Sequence, residues 1–96
     1  MNYKVQVYSA IVKRDKLEEM KSTAHKKYNV TYDTKLDLWT FDTYQEAKDF
    51  LFECGFAAKA YRHTDSGAVN DDFTLDGSLV HATIWNLAWV DDYYLN

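Results

Sequence analysis

Cysteine is nearly missing from this chain of 96 residues: Cys54 stands alone, which rules out an intrachain disulfide. Glycine occurs only as the isolated Gly55, Gly67 and Gly77, so no phosphate-cradling loop and no dinucleotide fingerprint can be built. No G-x-S-x-G elbow is present. No apolar run approaches the roughly 20 residues of a membrane helix. The opening "MNYKVQVYSAIV" is interrupted by Gln6 and Ser9 and does not resemble a signal peptide, so a cytoplasmic protein is expected. The sequon Asn29-Val30-Thr31 then carries no weight, because it matters only in secreted chains.

The most informative absence is that of Lys and Arg beyond Arg62. All 11 basic residues lie between Lys4 and Arg62, a segment that also holds nine acids, so its net charge is 11 − 9 = +2. Residues 63–96 carry Asp65, Asp71, Asp72, Asp76, Asp91 and Asp92 and hence −6, which together give the overall −4. Such a break predicts an acidic face that suits a basic partner surface and repels nucleic acid.

What is present is a hydrophobic fraction of 47% and an aromatic fraction of 17%, enough for one domain with one core. Residues 3–12 alternate as a strand, with Tyr3, Val5, Val7 and Ile11 on one side and Lys4, Gln6 and Tyr8 on the other. A helix follows, capped by Asp15 with Glu18, its narrow apolar stripe formed by Leu17, Met20, Ala24 and Tyr28. His25, Lys26 and Lys27 suit its negative end. Two short strands are expected over 29–33 and 36–41. A second helix is framed by the capping box Thr43/Glu46, the stripe Ala47, Phe50, Leu51, Cys54, and a left-handed Gly55 before apolar Phe56. Residues 57–63 read as a strand and 64–72 as a loop. Asp76-Gly77 predicts pairing of 73–75 with 78–85, whereas the final stretch fits strand and helix equally.

The resulting expectation is an α+β fold. A ferredoxin-like β-α-β-β-α-β antiparallel sheet over residues 1–63 has both helices on one face, and a C-terminal β-hairpin extension spans 64–96. In "LDLWTF", Leu36 and Leu38 are placed toward the helices, which leaves Asp37, Trp39 and Phe41 on the opposite face in need of a cover. The element order is that of RNA-binding RRM domains, and Tyr8, Trp39 and Phe41 resemble their stacking rings. "KLDLWTF", however, lacks the Lys/Arg-Gly-aromatic start of that motif, and a net charge of −4 offers no attraction to phosphate.

Catalytic, metal and cofactor residues are not apparent. Cys54 on the helix stripe reads as a buried core residue. His63-x-Asp65 is the nearest approach to a chelating pair, His81 reads as a surface strand position, and Asp71-Asp72 and Asp91-Asp92 read as solvated acids. The expected function is that of a non-enzymatic protein-binding module. Such an acidic inhibitor or regulator, comparable to phage anti-defence (anti-CRISPR-like) proteins, would meet a basic partner surface through Asp71, Asp72, Asp76, Asp91, Asp92, Tyr93 and Tyr94. The alternative is a homodimeric ligand-binding or regulatory domain that buries Trp39, Phe41 and Trp85 between two sheets. Neither direct nucleic-acid contact nor a membrane is expected.

Overall fold

The computed structural model describes residues 2–8, 14–36, 38–75 and 80–90. The elements are β1 (Tyr3–Tyr8), α1 (Arg14–Lys27), β2 (Val30–Asp33), β3 (Leu38–Phe41), α2 (Tyr44–Glu53), β4 (Ala57–Ala60), β5 (Asn70–Leu75), β6 (Val80–Asn86) and the single turn α3 (Leu87–Val90). Among the described residues no helix is long and apolar enough to cross a membrane.

The strands form one antiparallel sheet in the order β2-β3-β1-β6-β5-β4. The fold is therefore α+β, as expected, but its strand order is not the ferredoxin-like one. The first half agrees with that arrangement: β3 lies between β1 and β2. The place beside β1 that β4 would take is occupied by β6, and β4 moves to the far edge. Composition explains the exchange. β6, "VHATIWN", buries Val80, Ala82, Ile84 and Asn86 and tolerates a neighbour on each side. β4, "AAKA", is short, exposed and carries Lys59, the features of a strand suited to an edge. Residues 64–96 are accordingly no appended ribbon, since β6 pairs with β1 over Tyr3↔Asn86 to Tyr8↔His81 and is part of the core sheet. Asp76-Gly77 lies outside the described residues, and the strands flanking it pair at Leu75↔Val80.

Helix α2 follows its local code closely. Thr43 is the N-cap and accepts the Glu46 amide at 3.2 Å, while its hydroxyl donates to the Glu46 carboxylate at 2.9 Å. At the other end Gly55 has φ +93, and the amides of Gly55 and Phe56 donate to the carbonyls of Phe52 and Leu51, the paired bonds of a Schellman turn. Helix α1 begins at Arg14, one residue before the expected cap at Asp15.

The phase of β3 is opposite to that expected. Trp39 and Phe41 are fully buried on the helix side, where both stack on Phe50 of α2 at ring separations of 5.7 and 5.1 Å. Leu36 sits in the turn before the strand and is exposed, and Leu38 shares the open face with Thr40, Lys4 and Gln6. The large rings bury more apolar area than two leucines, so they take the core side. Neither the chain's last residues nor a second copy is needed to cover Trp39 and Phe41.

Candidate functional site

The polar side chains that the fold draws together lie where the first turn of α2 meets the connection between β4 and β5. Asp71 is paired with Ile84 and lies two residues from Phe73, so the pleat directs its side chain to the core. Burying a carboxylate is costly unless donors surround it. Here the Arg62 amide donates to Oδ1 at 2.9 Å, and the Tyr44 hydroxyl donates to Oδ2 at 2.6 Å. The Nε2 nitrogen of His63 lies 3.0 Å from the same Oδ2. A carboxylate only accepts, so Nε2 carries the proton of this bond. Asp71 is 0% exposed, while the His63 side chain is 46% exposed. The imidazole is thus fixed through Nε2 from within, while nearly half of the side chain is exposed. Rings flank it: Tyr44 meets it edge-on at 5.3 Å and Tyr61 at 6.3 Å. Burial, and then the bond to Asp71, push the Tyr44 phenol far above its ordinary range.

A second buried polar side chain holds the rest of the connection. Asn86, 0% exposed, accepts the Val69 amide at 3.1 Å and donates to the Gly67 carbonyl at 2.9 Å. Thr64 closes the turn between them: its carbonyl accepts the Gly67 amide and its hydroxyl accepts the Ala68 amide. Gly67 has φ +91, a conformation that a side chain would strain. Residues 61–69 are therefore an ordered loop pinned at both ends. Beside it, exposed Tyr61 and Phe52 lie around Lys48, whose ammonium is 4.9 and 5.8 Å from their ring centres.

The residues proposed from sequence are dispersed. Asp71 is not solvated but is the buried centre of the cluster, and its carboxylate is withdrawn from any exposed acidic face. The expected loop over 64–72 ends at Val69, because Asn70, Asp71 and Asp72 already belong to β5. Asp72 points to the opposite face and binds Arg62 at 2.6 Å, so the last basic residue of the chain neutralises it. Asp65 is exposed in the loop, and the partner of His63 is Asp71 instead of Asp65. His81 is half-buried on β6, and Cys54 is buried at the end of α2. Asp76, Asp91, Asp92, Tyr93 and Tyr94 lie outside the described residues. Among the described residues no three His, Cys, Asp or Glu side chains gather as a metal site. Alternation could have revealed the cluster: in "NDDFTL", Asp71 shares parity with Phe73 and Leu75 and so belongs to the core face.

No protein-family model, curated protein or solved structure matches this chain.

Proposed function

We propose that the protein is a small binding module, an inhibitor or regulator that docks on a basic surface of a partner protein. The observation that carries this reading is where the charge changes. The last basic residue, Arg62, falls inside the pinned loop, and from His63 onward the chain has acids but no Lys or Arg. A loop held by Asp71 and Asn86 offers Tyr61, His63 and Asp65 at little ordering cost, and preorganised aromatic side chains are the usual anchors of a protein interface. Asp76, Asp91, Asp92, Tyr93 and Tyr94 remain candidate contacts on charge and composition alone. Asp71 is withdrawn from that set, and Asp72 joins it only if Arg62 releases it. A partner groove that binds nucleic acid would have the required basic character, and an acidic inhibitor of the anti-CRISPR-like kind would fill it.

Affinity capture with the wild-type chain and with a charge-reversed variant (Asp65, Asp76, Asp91 and Asp92 to Lys) tests this reading. Retention of a specific partner by the wild type, its release by the variant and its elution at raised salt are expected. Equal retention by both chains would remove the electrostatic docking idea.

A further inference from the structure

The binding role uses His63 as a preorganised contact, but a contact does not require that a buried carboxylate fix one nitrogen of its ring. Asp71 is satisfied for loop anchoring by the Arg62 amide and the Tyr44 hydroxyl, yet it also fixes Nε2 of a side chain that is half in solvent. With the proton on Nε2, the lone pair of the neutral ring lies on Nδ1. That is the arrangement in which a carboxylate orients an imidazole and stabilises the positive charge it acquires when the other nitrogen attacks. Lys48 lies beside the two rings that flank His63, 4.9 Å from the Tyr61 ring centre and 5.7 Å from that of Tyr44. Its ammonium adds positive charge to the same surface.

We propose that His63 is a nucleophilic site for small activated acyl compounds, such as aryl esters or thioesters, which takes the acyl group on Nδ1 and passes it to water. The Nδ1 lone pair forms a bond to the carbonyl carbon and the carbonyl π pair moves to oxygen. Collapse of this adduct restores the carbonyl and expels the aryloxide or thiolate. The ring is then an acyl-imidazolium whose Nε2 proton still faces Asp71, so the buried carboxylate offsets the new charge. Water adds to the acyl carbon and the carbon–Nδ1 bond breaks. The electron pair returns to Nδ1, the carboxylic acid leaves, and the proton lost by water ends on the departing phenol or thiol. The sum is ester plus water to acid plus phenol or thiol. His63 is the catalytic residue in this scheme, and Asp71 is a positioning residue that acts through it.

4-Nitrophenyl acetate is the probe. The wild-type chain should release nitrophenolate faster than His63→Ala by about tenfold or more, with His81→Ala close to wild type. Quenched samples should carry the acetyl group on His63. Since the side chain is half exposed, His63→Ala should fold, and circular dichroism verifies that it does. Equal rates for wild type and His63→Ala would overturn the proposal. Nitrogen-15 spectra of the imidazole give a second readout that is independent of turnover. The neutral ring is expected as the Nε2–H tautomer in the wild type and as a mixture in Asp71→Asn, a change that a merely structural Asp71 would not produce. An Nδ1–H tautomer in the wild type would equally overturn it.

Discussion

Two regions of this small domain are held by different physics. Under α2, the rings of Trp39, Phe41 and Phe50 pack with one another, and Tyr28 closes the cluster edge-on at 5.7 Å from Phe41 and 6.1 Å from Phe50. At the β4–β5 connection, buried Asp71 and Asn86 hold backbone and side-chain groups by directed hydrogen bonds. The ring cluster tolerates imperfection, for Trp39 buries an indole N–H that finds no acceptor among the described residues, and the apolar contacts absorb the cost. The polar region has less slack, because the buried Asp71 carboxylate and Asn86 amide hold their partners by directed bonds, with Oδ2 of Asp71 shared between Tyr44 and His63. The difference teaches that stability and local order have separate sources: area burial supplies most of the first, and the carboxylate and the amide impose the second.

Breaking the ring cluster should have the largest effect. Phe50→Ala removes the ring that touches Trp39, Phe41 and Tyr28, and a loss of about 4 kcal/mol in urea unfolding is expected. That approaches the whole stability of a domain of this size. Breaking the polar lock should cost less. Asp71→Ala leaves the Arg62 amide and the Tyr44 hydroxyl without their acceptor, and about 3 kcal/mol is expected by the same measurement. The two variants should also differ in kind. Hydrogen exchange in Asp71→Ala should accelerate first at the Arg62 and Asn70 amides, whereas Phe50→Ala should accelerate exchange across α2 and β3 together. Uniform acceleration in Asp71→Ala would mean that the two regions are one cooperative unit.

The contrast also explains what was legible in the sequence. Helix α2 could be read to its last residue because Thr43, Glu46 and Gly55 act on their own neighbours within a few positions. The identity of the strand beside β1 could not, since a choice between β4 and β6 is a competition for apolar area decided across the whole sheet. The phase of β3 turned on Leu36, which alternation counted as a strand residue but which the chain spends in a turn. The site was obscured for a similar reason. Asp71 and Asp72 look like one polar pair, yet the pleat sends the first into the core beside His63 and the second to Arg62 on the other face. The isolated reading of each acid missed that a donor-rich loop, residues 61–63, lies opposite.

The smallest effect, and the one that sharpens the comparison most, is at alkaline pH, because each region owns one unusual tyrosine. Burial, and then the hydrogen bond its hydroxyl donates to Glu53 at 3.1 Å, push the Tyr28 phenol from its ordinary 10.0 up to about 12. Glu53 is itself held below the usual carboxylate range, chiefly by its hydrogen bond from Lys27, so it remains an acceptor throughout this range. The unfolded chain releases the Tyr28 proton near 10, whereas the native chain keeps it until about 12, so between these values the native state binds more protons and stability falls as pH rises. The contribution is complete below 10 and gone above 12. Tyr28→Phe removes it, and the variant's unfolding free energy should therefore decline less steeply than the wild type's across that window. Tyr44 titrates later still, because burial and Asp71 both oppose its ionisation. A tyrosinate absorbance titration should accordingly show a step near 12 from Tyr28 and a later one from Tyr44. Tyr28→Phe should delete the step near 12, and Tyr44→Phe the one beyond it. Loss of both steps in either single variant would show that opening one region opens the other.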